Sequence, residues 1–247
     1  MFKKLTFAAL ALTISASAFA LDSYQHIRNA TAKIEYAGQT FLVDPFFAKK
    51  GAMEGFKGTF NSHLRSPMVE LPMPVSEIIK GVDAVIVTHT HEDHWDEAAQ
   101  KALPKDLPIF TQHEDDAKLI RSQGFKNVQV LHEKAVFNGV ELHKTGGSHG
   151  TEAMYANPTF AKLLGEAMGV VIKKDGHKTA YIVGDTVWTA DVLKASQIAP
   201  NAKLITVHMD TTNHNAVSRE DMRKFVIGEK LTDKVIIPSD GEVIELK

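Results

Sequence analysis

Apolar residues along this chain fall mostly in short runs bounded by turn residues, the pattern of strands rather than long helices. Val82 to Thr88 is the most compact of them, and Leu107–Thr111 follows the same style. Further strands are predicted at Val128–Leu131, Val140–Lys144, Gly169–Lys173, Thr179–Val183, Leu204–Val207 and Lys234–Ile237. Thr31–Tyr36 and Gln39–Val43 flank Ala37-Gly38 and predict a hairpin. Helical stretches are expected after a cap at Asp93 or Asp96 through Lys101, from Asp115 to Gln123 before Gly124, and at Phe160–Glu166, Ala190–Ser196 and Ser218–Ile227. Residues 49–74 are rich in Gly, Pro and Met and lack periodicity, so a long surface loop at the mouth of a site is expected there. There is no internal repeat. Many predicted strands end in a polar residue at a turn, and strand-end side chains can converge at one edge of a sheet.

The first twenty residues depart from this pattern. Lys3 and Lys4 precede a short apolar run from Leu5 to Ile14, and Ala18-Phe19-Ala20 forms a small-x-small cleavage signal. Residues 1–20 are read as a secretory signal peptide, and 21–247 as one domain. The run is too short for a comfortable membrane span. The mature protein is therefore expected to be periplasmic or secreted, with no membrane attachment. Removing two lysines leaves 26 Lys+Arg against 30 Asp+Glu, a formal charge of −4 in place of −2. No basic stripe is visible, which argues against nucleic acid as a partner. The chain has no cysteine, so thiolate ligands and thiol nucleophiles are excluded, and any metal must be held by His, Asp or Glu.

Thr88-His89-Thr90-His91-Glu92-Asp93-His94 supplies those residue types at high density. His89 and His91 are two apart and point the same way in an extended segment, while Asp93 and His94 enter the next turn. One segment can thus offer ligands to two neighbouring ions, and imidazole with carboxylate suits Zn²⁺, with Mn²⁺ or Fe²⁺ as alternatives.

This segment resembles the HxHxDH motif of the metallo-β-lactamase superfamily. The resemblance implies distant partners, and the chain supplies them in order from about His26 to Asp240. Phe41-Leu42-Val43-Asp44-Pro45-Phe46 provides Asp44, which in that family orients the histidine loop; a plain turn Asp before Pro is the alternative. Gly146-Gly147-Ser148-His149-Gly150-Thr151 provides His149, and Tyr181-Ile182-Val183-Gly184-Asp185-Thr186 provides Asp185, the carboxylate that bridges two metals in the family. The last ligand departs from the pattern. Ile236-Ile237-Pro238-Ser239-Asp240-Gly241-Glu242 has Asp240 where His is common. Asp240 is the ligand expected at that place, and His208, Asp210 and His214 of the polar segment 207–214 stand as alternatives; His214 is also placed near metal or substrate. Gln25-His26-Ile27-Arg28-Asn29-Ala30-Thr31 resembles the opening of the lactonase-like (ascorbate-6-phosphate lactonase) branch.

The resemblance implies a four-layer αββα sandwich of two mixed sheets flanked by helices, with the site among strand-end loops. It implies two ions, His89, His91 and His149 holding one and Asp93, His94, Asp185 and Asp240 or His214 the other. Water activated there would hydrolyse an ester, lactone or phosphodiester bond of a small molecule, with Asp93 orienting it or accepting its proton. A β-lactam is disfavoured, because true β-lactamases of the superfamily generally lack the bridging Asp. A non-catalytic binder on the same fold and an iron-dependent redox relative are the other classes. His63, His113, His132, His143 and His177 lack a matching context and read as surface or core positions. Trp95 and Trp188 read as packing behind the site.

Overall fold

The computed structural model describes residues 21–187, 189–190, 192, 197 and 199–246. The signal-peptide reading of residues 1–20, Trp188 and most of the helix expected at Ala190–Ser196 lie outside the described residues.

The larger sheet combines β1 (Ser23–Arg28), β2 (Thr31–Tyr36), β3 (Gln39–Val43), β4 (Ala84–Val87), β5 (Ile109–Thr111), β6 (Val128–Val130) and the chain's last strand, β13 (Val243–Glu245). Its order is β13-β1-β2-β3-β4-β5-β6. The pairings from β13 to β3 are antiparallel and those from β3 to β6 are parallel, so this sheet is mixed. The smaller sheet runs β10 (Ala180–Ile182), β9 (Ala167–Lys173), β8 (Val140–Gly147), β7 (Lys134–Phe137) and is antiparallel throughout. A short parallel pair, β11 (Leu204–Ile205) and β12 (Val235–Ile236), completes the strands among the described residues.

The alternation in the buried strands assigns their faces. Phe41 and Val43 of β3 and Ala84 and Ile86 of β4 pack against Leu142, Val170 and Ile172 of the smaller sheet. Their neighbours Leu42, Val85 and Val87 face the other way, onto α1 (Val75–Ile79), α2 (Glu97–Ala102) and α3 (Glu114–Ser122), where Ile78, Ala99 and Ile120 meet them. These strands are covered on both faces, as parallel sheets require. A slip by one residue would exchange the two sets, so register is fixed by the size of the residues on each face. Of the two caps considered for α2, Asp96 is the one used: its carboxylate accepts from Ala99 N.

Five elements were not expected from the sequence. The strand β7 pairs with β8 across Asn138-Gly139, both with positive φ (47° and 81°). That Asn-Gly step is a strong hairpin signal, and it marks a strand of four residues, too short to stand out by its own pattern. The strands β1 and β13, each with polar residues in its run, owe their pairing to the sheet edge. The short α1 lies just past the long loop, and the single turn α4 (Glu152–Tyr155) is held by the Thr151 side chain.

Strand ends carry the chemistry to one edge. The parallel register Val43↔Ile86 puts the residues after β3 and β4 side by side. β10 runs antiparallel to β9, and β9 to β8, so the ends of β8 and β10 meet the start of β9. Met168 N donates to Thr88 O (3.2 Å) and ties the two sheets at that edge.

Candidate metal centre

The histidine segment leaves β4 through Thr88, whose backbone N–H donates to Asp44 Oδ1 (2.7 Å) and whose hydroxyl donates to Asp44 Oδ2 (2.7 Å). Asp44 follows β3 in a left-handed conformation (φ 43°) and is 2% exposed. Its Oδ2 also accepts from His94 Nδ1 (2.9 Å), and Thr88 Oγ1 lies 3.0 Å from His89 Nδ1. With their Nδ1 atoms engaged, both rings turn Nε2 toward the centre. The segment then folds back, His94 N and Trp95 N each donating to His91 O (2.9 Å). Thr90 Oγ1 donates to Asp116 Oδ1 (2.7 Å), anchoring the loop to α3.

Among the described residues three clusters result, the first two sharing His89: His89, His91 and His149; His89, His94 and Asp185; Asp93, His208 and His214, each with its ligand atoms within 4.8 Å of one another. His89 Nε2 lies 3.2 Å from His149 Nε2. Asp185 Oδ2 lies 3.2 Å from His94 Nε2 and 3.3 Å from His208 Nε2. His208 Nε2 is 3.1 Å from Asp93 Oδ2 and 3.2 Å from His94 Nε2. A tetrahedral ion with bonds of about 2.0–2.1 Å has ligand atoms about 3.3 Å apart, so this spacing fits such ions. The donor set fits too: six imidazoles and two carboxylates, with His89, His94 and Asp93 buried and the others half-buried. Asp185 stands between the clusters because Gly184 (φ 76°) turns the chain after β10, and a Cβ there would collide with the Met168 carbonyl oxygen.

His149 sits in the turn after β8. Its N–H donates to the Tyr155 hydroxyl (3.2 Å), which itself donates to Gly165 O (2.8 Å). The helices α4 and α5 (Pro158–Leu164) are thereby held over this part of the site. On the other side, Asn213 clamps the long loop: its Oδ1 accepts from Phe56 N (2.9 Å) and Ser66 Oγ (3.2 Å), and its Nδ2 donates to Thr59 Oγ1 and Phe60 O. Phe56 meets the His214 ring edge-on at 4.7 Å. The loop expected at the mouth of the site therefore reaches it.

Asp240, expected as the last ligand, joins none of these clusters. Its carboxylate is taken by the Arg219 guanidinium and lies 3.3 Å from His26 Nε2. His208 stands in its place, one strand over. β11 and β12 run parallel and deliver their ends to the same edge, so either end was a candidate from the sequence alone. Two contributors were not singled out as site residues from the sequence: Asn29, whose Nδ2 donates to Asp93 O (3.2 Å) and whose carbonyl accepts from His208 N (3.0 Å), and Arg219. The remaining histidines have other partners or lie exposed. His113 caps α3, His143 pairs with Glu141, His177 with Asp22, and His63 and His132 are exposed. Trp95 packs on Phe125 behind the site and donates to Gln123.

Burial and charge divide the imidazoles. Burial lowers the pKa of His89, helped by His94; it lowers His91 and His214, and brings His149 down to about 4. Burial would also lower His94 and His208, but Asp185 and Asp93 outweigh it and raise both, His94 well above its ordinary value. Burial would raise Asp93 and Asp185, yet His94 and His208 hold both low. These shifts give stability a sign in chelator-treated protein. Below pH 6.5 the unfolded chain takes up protons that His89, His91, His149 and His214 refuse when folded, so stability falls on acidification, for His149 between 6.5 and about 4. The contribution of His94 and His208 is complete below pH 6.5 and is lost as pH climbs through their raised folded values. The urea midpoint in chelator should therefore peak near pH 6.5; a midpoint rising steadily from pH 5 to 9 would contradict this assignment.

The chain matches the family model "Beta-lactamase superfamily domain" over residues 39–222. It is 38% identical to the UPF0173 protein YddR of Bacillus subtilis (strain 168), over 87% of this chain and 96% of that protein. A crystal structure of a possible metal-dependent hydrolase from Veillonella parvula DSM 2008 superposes with a TM-score of 0.90 at 46% identity, over 92% of this chain and all of the other. The isothiocyanate hydrolase from Delia radicum gut bacteria superposes with a TM-score of 0.84 at 42% identity, over 90% and 98%.

Proposed function

Because the chain belongs to the metallo-β-lactamase superfamily, within the UPF0173 metal-dependent hydrolases, we propose that it is a two-metal hydrolase adding water to an electrophilic carbon of a small, weakly polar substrate. The convergence of six imidazoles around Asp93 and Asp185 carries this reading. His89, His91 and His149 would hold one ion, and Asp93, His94 and His208 the other, with Asp185 between them. Zinc is the metal proposed, manganese and iron the alternatives. Bound divalent ions supply Lewis acidity and bring the pKa of water toward neutrality.

The chain's own residues do the rest. Asp93 is held ionised by His94 and His208, and so strongly ionised a carboxylate is a weak base. Its role is accordingly to orient water rather than to take the proton. His214 and Phe56 border the same region. The segments flanking the site expose Phe60 and Leu64 on the loop and Met154, Phe160 and Leu163 on α4 and α5, which favours an apolar substrate body. Arg219 is engaged with Asp240 and Asp210, which speaks against a phosphodiester clamp built on it.

An isothiocyanate is the first candidate, on the likeness to the hydrolase of that name. The net reaction is R–N=C=S + H₂O → R–NH₂ + O=C=S: the water oxygen bonds to carbon, the C–N bond breaks, and both protons end on nitrogen. A lactone is the second, favoured by the likeness of residues 25–31 to the lactonase-like branch. Export of the mature chain to the periplasm or beyond accompanies the proposal; N-terminal sequencing of the exported protein should begin at Leu21.

The test is metal analysis of purified protein together with turnover of phenethyl isothiocyanate, lactones, aryl esters and a phosphodiester. Two equivalents of metal and chelator-sensitive release of amine from the isothiocyanate are expected. Metal-loaded protein inert on the whole panel would favour a non-catalytic binder, and iron with oxygen uptake would favour a redox relative.

A further inference from the structure

The segment that delivers His208 is built under strain. His208 and Asp210 both have left-handed backbones (φ 64° and 59°), although neither is glycine. Such backbones are sparsely populated and persist only where the surroundings hold them. One hold is visible on the near side, where His208 N donates to Asn29 O (3.0 Å). The other lies at the N-terminus of α6 (Arg219–Gly228), which is set by a capping box between Ser218 and Asp221. There Arg219 N donates to Asp210 Oδ2 (3.2 Å), and its guanidinium Nη1 lies 3.9 Å from the same oxygen. The other arm, Nη2, donates to Asp240 Oδ1 and lies 3.3 Å from His26 Nε2. Asp240 follows β12, and His26 is fully enclosed in β1. Arg219 thus joins the 208–210 turn to two strands, and its side chain is only 13% exposed.

We propose that Arg219, braced by Asp240, is a positioning residue that holds the 208–210 turn so that His208 closes the second metal cluster. The proposal rests on the two-metal reading above. It gives Asp240 a role at the site without contact to a metal. An arginine between two carboxylates suits this task, since its rigid fork reaches both at fixed angles where lysine offers a single point charge.

The test reads metal binding directly. Metal-free wild type, Arg219→Gln, Arg219→Lys, Asp240→Asn and the Arg219→Gln/Asp240→Asn double variant are titrated with Co²⁺, following its visible absorption, and thermal melts report the fold. Wild type should take two equivalents. Arg219→Gln should weaken the second equivalent by about 10-fold or more, the usual scale for groups that orient ligands, and leave the first unchanged. Asp240→Asn should move it the same way, the double variant should be no worse than Arg219→Gln alone, and Arg219→Lys should recover part of the loss. If Asp240→Asn weakens the second equivalent and Arg219→Gln does not, Asp240 is itself a ligand and the proposal fails. Lower melting temperatures with unchanged Co²⁺ affinities would make the pair merely structural and would also overturn it. A wild type that takes up only one equivalent removes the two-metal reading, and the positioning role of Arg219 with it. Should Arg219→Gln not fold, Arg219→Lys and Asp240→Asn decide between the same outcomes.

Discussion

Asp185→Asn is expected to leave a folded protein that binds one equivalent of metal in place of two and has lost hydrolysis by about 10³-fold or more in kcat/KM. Its Oδ2 lies within 3.3 Å of both His94 and His208, and a second cluster partner, His89, is shared with the first site. Asparagine keeps the shape and removes the charge. The site then has one carboxylate facing six imidazoles, which is too little negative charge to hold two divalent ions close together. A 10³-fold loss corresponds to about 4 kcal/mol of transition-state stabilisation. Metal content by mass spectrometry and steady-state kinetics on the same sample check the two halves of this expectation. An Asp185→Asn protein that retains both ions and most of its activity would remove Asp185 from the bridging position.

The sequence was most legible where function is packed into one segment. His89, His91, Asp93 and His94 needed no tertiary information, because residues along one strand end share an edge by geometry alone. Asp44, His149 and Asp185 were legible as strand-end polar residues once the motif had set the order in which to look. Asp240 and His208 were different. They follow adjacent parallel strands, and nothing local separates them; what differs is that Arg219, from the N-terminus of α6, pairs with the Asp240 carboxylate. The strands β1, β7 and β13 were hidden for a related reason. Their pairing partners, rather than their own periodicity, make them strands. Long-range partners of this kind are what a single sequence does not display.

The second large effect is expected from Asp44, a residue outside all three ligand clusters. One carboxylate accepts from Thr88 N, Thr88 Oγ1 and His94 Nδ1, and through Thr88 Oγ1 it also engages His89 Nδ1. Every one of these neighbours must donate toward it for the Nε2 atoms of His89 and His94 to carry lone pairs inward. In Asp44→Asn the backbone is not at issue, since Asn tolerates the left-handed conformation (φ 43°) as readily as Asp. The hydrogen bonds are. If the amide oxygen accepts from Thr88 N, the amide nitrogen faces the Thr88 hydroxyl and His94 Nδ1–H, donor against donor. Relief requires His94 to move its proton to Nε2, which then points a hydrogen at the metal position. Metal affinity should fall by about 100-fold, the upper end of what such orienting groups supply, and activity measured at limiting zinc should fall with it. Excess zinc should restore much of that activity, because the reacting groups themselves are intact. A zinc titration of activity for wild type and Asp44→Asn makes the distinction: a curve displaced to higher zinc with a similar plateau supports the orienting role, whereas an undisplaced curve with a depressed plateau would place Asp44 in the chemistry itself.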